Sequence, residues 1–210
     1  MRHDLFVHRT LLPALVCCAL AAPAAAQDAW TVLAAARAEF ERTAWTADFV
    51  QTYVPAGFSS GETETGRVSV ALPGTLRWDY DVPYAKVFLV RDDMAYTWNP
   101  GESTGRRTLL APTEREHLAL LELDLAALEA RYEAALTHLE GGLEVTLTPL
   151  DETADIRAAT LALEPGSYRL LRLRYSDFEG NTTEFRLSGH RVAADTGLFS
   201  APTDLDWLED

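Results

Sequence analysis

The sequence predicts an α+β domain: a strongly bent antiparallel sheet of roughly ten strands with helices over its concave, apolar face. Three observations lead there. Short stretches alternating apolar and polar side chains recur along most of the chain, each closed by Pro, Gly, Asp or Asn. One Leu-, Ala- and Glu-rich stretch in the middle has helical spacing instead. The balance of 18 Lys and Arg against 32 Asp and Glu, with 48% hydrophobic and 10% aromatic residues, is that of a folded protein. A formal charge of -14 excludes the phosphate-neutralising surface that nucleic acid requires, and equally a basic anchor on an anionic membrane.

The chain opens with Arg2 and Arg9, an apolar run follows from Leu11 to Ala22, and then comes Pro23-Ala24-Ala25-Ala26-Gln27. A basic start, a short apolar centre and an Ala-x-Ala end predict a secretory leader over 1–26, cleaved after Ala26, with a single domain over 27–210. The run is too short to span a bilayer as a helix. Val16 before Cys17, and Cys17 before Cys18, do not provide the small residue that precedes a lipidated cysteine. Both cysteines leave with the leader, so the exported chain carries no thiol and needs no disulfide.

A helix is predicted over Ala29–Glu41, capped by Asp28, with Leu33, Ala36 and Phe40 on one face. The period changes to two at Trp45, where Ala47, Phe49, Gln51 and Tyr53 share its face, until Pro55-Ala56-Gly57. Further strands follow: Arg67–Leu72, Thr75–Tyr80, Lys86–Arg91, and one marked by Met94, Tyr96 and Trp98 that stops at Asn99-Pro100-Gly101. Thr113-Glu114-Arg115-Glu116 reads as a capping box after Pro112, opening helices over Thr113–Leu123 and Leu125–Leu139, with Gly141-Gly142 closing them. Strands over Leu143–Pro149, Ile156–Leu163, Tyr168–Ser176 and Thr182–Ser188 complete the meander, and a last one near Leu198–Pro202 precedes an acidic tail.

Catalytic and metal chemistry finds little to build on. His117, His138 and His190 fit no metal-ligand spacing, so neither a metal nor another cofactor is expected. Gly57-Phe58-Ser59-Ser60-Gly61 matches the G-x-S-x-G elbow of hydrolases, but that motif works at a strand-to-helix turn over a parallel sheet. Here the following residues alternate as a strand, so a hairpin loop is the better reading, and no catalytic residue is assigned. Asp151-x-Thr153-x-Asp155 lacks the Gly and the final Glu of a calcium loop. The aromatic and aliphatic side chains at alternate strand positions carry more information. Trp45, Phe49, Leu76, Trp78, Tyr80, Tyr96 and Trp98 either fill an ordinary close-packed core or line a hollow open to an apolar ligand.

Several segments resemble the outer-membrane lipoprotein carrier family, LolA. They are Trp45-Thr46-Ala47-Asp48-Phe49-Val50-Gln51, then Gly66-Arg67-Val68-Ser69-Val70 with Pro73-Gly74-Thr75-Leu76-Arg77-Trp78-Asp79-Tyr80. Pro83-Tyr84, the stretch Asp92-Asp93-Met94-Ala95-Tyr96-Thr97-Trp98-Asn99-Pro100, the Asp177-to-Thr183 turn and Phe199-Ser200-Ala201-Pro202 extend the likeness across most of the chain. The resemblance implies an unclosed, or half, β-barrel with a helical lid. It also implies a non-enzymatic, monomeric periplasmic shuttle, which takes acylated lipoproteins from an inner-membrane ABC-type exporter to an outer-membrane receptor. Phe49, Val68, Val70, Leu76, Trp78, Tyr80, Tyr96 and Trp98 become the candidates for lining the acyl-chain hollow. Leu72, Arg77, Leu120 and Leu121 become the candidates for contact with the lid. Relatives commonly carry, just before the turn Pro, an Arg that hydrogen-bonds the closed lid; Leu72 stands there in this chain, so closure is expected to be mostly apolar. Arg77 is the cation nearest to a replacement, although alternation with Leu76 and Trp78 points it to the opposite face. Two other functions fit less of the sequence: a periplasmic lipid- or lipoprotein-sensing regulatory module on the same fold, and a hydrolase using Ser59.

Overall fold

The computed structural model describes residues 28–209 apart from 152–153; the expected leader over 1–26 lies outside the described residues. Helix α1 (Ala29–Arg42) starts where the Asp28 carboxylate accepts the Thr31 N–H at 2.8 Å, and it buries Val32, Leu33, Ala36 and Phe40. The chain then enters six consecutive strands: β1 (Trp45–Val54), β2 (Glu62–Ala71), β3 (Thr75–Val82), β4 (Lys86–Arg91), β5 (Met94–Trp98) and β6 (Thr104–Leu109). Two short helices follow, α2 (Pro112–Glu122) and α3 (Leu125–Glu129). Strands β7 (Tyr132–Leu139), β8 (Gly142–Pro149), β9 (Ile156–Leu163), β10 (Leu170–Asp177) and β11 (Thr182–Val192) come next, then a 3₁₀ turn, Thr196–Phe199, and β12 (Asp206–Glu209).

All twelve strands form one sheet, in the order β12-β6-β5-β4-β3-β2-β1-β11-β10-β9-β8-β7. Strands β12 and β7 are its two ends and do not pair with each other, so the barrel is unclosed. Only β12 runs parallel to its neighbour. Register aligns the apolar side chains of successive strands on one face. Val68 faces Trp78 and Val70 faces Leu76 across β2–β3; Trp78 then faces Phe88, and Leu76 faces Val90, across β3–β4. On the other wing Val145 faces Leu161, Leu161 faces Leu173, and Leu173 faces Phe185. Helices α1, α2 and α3 cover this continuous wall with Val32, Leu33, Leu120, Leu123 and Leu128, none of them exposed.

Three strands escaped the sequence reading. Residues 132–139, expected as the second half of a helix, are β7. Leu125, Leu128, Tyr132, Leu136 and Leu139 do recur at helical spacing, but Tyr132, Ala134 and Leu136 also alternate with exposed Glu133, Ala135 and Thr137. The unpaired edge of β8 decides between the two periods, because eight residues of ladder satisfy its backbone groups. Strand β6 has little apolar alternation to mark it. The strand expected near Leu198–Pro202 is instead the 3₁₀ turn, whose Gly197 N–H is held by Asp195 at 2.8 Å. The acidic tail beyond it supplies β12.

The tail reaches β6 after crossing the outer face of the sheet. Its 3₁₀ turn packs on β2 and β3, and Leu198 offers its carbonyl to Arg77 at 3.0 Å. Trp207 then lies edge-on to Tyr96 and Trp98, at 5.3 and 5.9 Å between ring centres, and donates its indole N–H to the Pro202 carbonyl at 3.2 Å. Glu209 pairs with Arg107. Gly105 makes the close approach possible, since a Cβ there would fall 2.5 Å from the Trp207 ring. Gly105→Ala is expected to expel Trp207 and detach β12, lowering stability by about 1–3 kcal/mol. Denaturant unfolding and exchange of the β12 amides measure this; an unchanged midpoint with β12 still protected would refute it.

Candidate functional site

The site is the apolar inner face and the helices closed over it. Leu123, with φ of 51° and its N–H on the Ala119 carbonyl, ends α2 and lets α3 turn back across the sheet. Asp124 caps α3 through the Ala127 N–H at 3.3 Å. The turn puts Leu120, Leu123 and Leu128 into the core, while Leu121 is half-buried beside Trp45, Val68, Val70, Leu76 and Trp78. Phe49 lies in the same core, edge-on to Tyr80 at 5.0 Å and to Phe185 at 6.2 Å.

The vacant hollow that the sequence suggested is not there in this conformation. The void among Leu121, Trp78, Leu76 and Phe185 measures about 10 Å³, barely enough for one water. Lid leucines occupy the space, as close packing demands of any apolar interior. Room opens further along the same face, beyond the reach of the lid. A half-open groove of about 560 Å³ runs over β3–β6 and β12, floored by Tyr80 and Phe88 and edged by Lys86, Thr97, Arg106 and Leu208. The Tyr80 hydroxyl donates to Gln51 Oε1 at 2.8 Å, and the Lys86 ammonium sits 4.4 Å above the Tyr80 ring while pairing with Glu64 at 2.7 Å. Burial, reinforced by the Glu64 charge, pushes the Tyr80 phenol far above its ordinary range, so it remains a neutral donor.

Six of the eight candidate lining residues share the inner face: Phe49, Val68, Val70, Leu76, Trp78 and Tyr80. Tyr96 and Trp98 do not. They stand opposite Leu89 and Val87, one step out of phase with Trp78 and Phe88, so their rings project to the outer face against Trp207. Trp98 also lines part of the groove.

Among the lid candidates, Leu120 is buried in the core, Leu121 lies beside Val68, Leu76 and Trp78, and Leu72 is partly buried against the core. Arg77 is on the wrong side for the lid. Its guanidinium grips Asp79 at 2.6 to 3.0 Å, donates to Leu198, and lies 5.3 Å from the Trp98 ring. Polar contacts to the lid come from elsewhere and were not recognised from the sequence: Arg115 of α2 pairs with Asp93 in the β4–β5 turn, and α1 contributes Arg37. Arg37 donates from Nη1 to the Glu122 carbonyl in the last turn of α2 at 2.7 Å, and from Nε to Glu41 at 2.7 Å. An orphan carbonyl at a helix C-terminus is a natural acceptor for a guanidinium. The i, i+4 placement of Arg37 and Glu41 was the available signal, but nothing local in it points to the lid.

Ser59 lies in the exposed connection between β1 and β2, an antiparallel hairpin with no following helix. The hydrolase elbow therefore has no structural context here. Among the described residues, no three His, Cys, Asp or Glu side chains are grouped to hold a metal.

An open antiparallel sheet with an apolar face under a short helical lid is the architecture expected from the sequence, and a family model decides the kinship. Residues 41–201 match the model of the outer membrane lipoprotein carrier protein LolA. The chain belongs to the LolA family. An outer-membrane lipoprotein carrier protein from Xanthomonas axonopodis pv. citri is 27% identical to it, over 77% of this chain and 80% of the relative. In structure the chain is similar to an uncharacterized conserved protein from Thermus thermophilus, with a TM-score of 0.54 and 11% identity over 85% of this chain and 97% of the other. It is also similar to a chain of the Pseudomonas aeruginosa MucA/MucB complex, at TM-score 0.52 and 14% identity, over 85% of this chain but only 62% of that one. Both structural likenesses concern the fold alone.

Two consequences concern the lid of this LolA-family chain. Arg37→Met removes a charge-assisted bond of about 1.5–3 kcal/mol and is expected to speed amide exchange in α2 by about ten- to hundredfold. Protection in α2 equal to that of the parent chain would show that Arg37 does not hold the lid. Burial raises the Glu122 carboxyl above its ordinary 4.5, with Arg37 opposing and Asp124 adding to the shift. The closed form therefore holds the proton more tightly than an open one, so closure is favoured at low pH and weakens as pH rises through the raised value. Exchange in α2 measured across that range should accelerate with pH beyond the intrinsic rate, and Glu122→Gln should abolish the excess. An excess that persists in Glu122→Gln assigns the effect elsewhere.

Proposed function

We propose that this chain is a periplasmic carrier that binds the acyl chains of lipoproteins against the inner face of its sheet. In this reading it receives them from an inner-membrane ABC-type exporter and passes them to an outer-membrane receptor, acting as a monomer without catalysis or cofactor. The observation that carries it is the unbroken apolar wall from Val145 across Leu173, Phe185 and Phe49 to Trp78 and Phe88, which is covered by short helices rather than by a second sheet. Membership of the lipoprotein carrier family supports the same reading.

Such a wall fits a fatty chain, and the filled interior sets the mode of binding. Each acyl CH₂ removed from water contributes about 0.8 kcal/mol. Lid leucines already occupy the space, so cargo must displace Leu120, Leu121 and Leu123 before its chains reach Leu76 and Trp78. One apolar group replaces another on the same surface, and the net affinity is the difference between two similar burials. That balance suits a carrier that must release its cargo to a receptor. The neighbouring groove over Tyr80 and Phe88 leaves an exit for chain or polypeptide that the lid does not cover.

Recovery from the native periplasm tests the proposal: mass spectrometry should find acylated lipoprotein bound. Leu121→Asp places a carboxylate on the half-buried lid surface that acyl chains would contact, and should cut bound lipoprotein about tenfold or more. Leu171→Asp on exposed β10 surface should not. Recovery of a membrane regulator in place of lipoprotein would favour the sensing module, and absence of acylated cargo from every preparation would defeat the carrier reading.

A further inference from the structure

A second pocket lies outside the acyl-chain wall, where the end of α1 meets the start of β1 and the end of β11. It measures about 90 Å³, space for a few waters, and is lined by Arg42, Arg169, Arg191, Glu39, Trp45 and His190. Three guanidiniums against one carboxylate make an unusual concentration of positive charge on a chain of net charge -14. Each Arg also has an acidic neighbour: Arg42 pairs with Glu39 at 2.5 Å, Arg191 with Asp48 at 3.2 Å, and Arg169 with Glu164 at 3.9 Å. Asp48 and Glu164 are not part of the lining, whereas Glu39 is.

Two buried polar atoms mark the pocket more specifically. The Trp45 indole Nε1 and His190 Nε2 have no hydrogen-bond partner, although both rings line the cavity. The rings are 5.5 Å apart, and the Phe40 ring lies 4.9 Å from Trp45. An unmet buried donor costs about 1–3 kcal/mol, a cost that an oxygen ligand removes. Three guanidiniums around a small cavity, beside an indole donor with no partner, fit an oxyanion better than any neutral group.

We propose that this pocket binds a phosphate-class oxyanion, with Arg169 and Arg191 supplying charge, the Trp45 N–H supplying a hydrogen bond, and His190 adding a second once protonated. The chemistry is shared by free phosphate and by a phospholipid headgroup. A headgroup would be the more consequential occupant, because Trp45 also borders the small void under Leu121 and so stands between the pocket and the acyl-chain wall.

Burial holds the His190 imidazole below its ordinary 6.5 and the Arg169 charge pushes the same way, while a hydrogen bond to the Leu170 backbone and the Glu164 charge oppose. The other charges around the pocket are Arg42 and Glu39 from α1 and Arg191 from β11. An anion in the pocket favours the imidazolium, so binding should raise the His190 value and tighten as pH falls.

Titration of the purified protein at constant ionic strength, with inorganic phosphate and separately with dihexanoyl-phosphatidylglycerol, tests this. Nitrogen-resolved NMR should show saturable shifts of the Trp45 indole and the His190 ring, together with an upward move of the His190 titration. The double variant Arg169→Gln/Arg191→Gln should bind about tenfold or more weakly. Trp45→Phe, which keeps a ring but loses the donor, should also weaken binding, and it covers the case in which the double variant melts early. Saturation by phosphate identifies a general oxyanion site, and saturation by the phospholipid alone identifies a headgroup site. No saturable response to either probe, or equal affinity in all variants, would overturn the proposal. Because the readout is anion binding in the absence of lipoprotein, it stands or falls apart from the carrier reading.

Discussion

The rest of the structure depends on one requirement: the apolar inner wall of an unclosed sheet must be kept from water. A closed barrel meets it by wrapping the wall on itself, and a sandwich by adding a second sheet. This chain uses α1 and the short pair α2 and α3, with Leu33, Leu120, Leu123 and Leu128 wholly buried on the wall. Helices of eleven and five residues have little stability of their own, so α2 and α3 persist because of what they cover. Anything that competes for the wall therefore competes with the lid.

The competition explains why a filled interior is compatible with the wall of the proposed carrier. An empty hollow lined by Leu76, Trp78 and Phe185 would lose dispersion contacts on every side. Leucines from α2 restore them, and in the proposed carrier role they would have to move when a fatty chain arrives. Polar contacts add to the hold on the lid, among them the Arg115–Asp93 pair. Arg37 binds the end of α2 through a main-chain carbonyl, a contact that does not require a particular side chain on the lid, and it does so from the helix rather than from the strand position occupied by Leu72.

The outer face obeys the same logic with different residues. Leu89, Val87, Tyr96 and Trp98 alternate outward from β4 and β5 and would be an exposed patch on their own. The C-terminal segment covers them through Trp207 and extends the sheet with β12, while Arg77 and Asp79 tie the crossing to β3. Apolar residues on both faces of β4 thus have separate reasons: one set meets the lid and the groove, the other meets the tail.

Local pattern was sufficient for much of this. Asp28 and the Ala-rich run define α1, and the alternation of Val68, Val70, Leu76 and Trp78 with polar neighbours fixes both the strands and the face they share. Those features are written within a few residues of one another, so the sequence by itself determined the bent antiparallel sheet, its apolar wall and the position of the lid. Tertiary structure decided what depends on partners distant in the chain. Residues 132–139 satisfy two periods, and only the open edge of β8 selects the strand. Tyr96 and Trp98 alternate as regularly as Trp78, but the face they take is set by register across β4, which spacing within β5 does not contain. Whether the wall is empty or filled depends on how far α2 descends, and the Arg37 contact joins residues 85 positions apart. Periodicity is a property of one segment, whereas register, closure and packing are properties of pairs of segments, and these were settled only when the chain had folded.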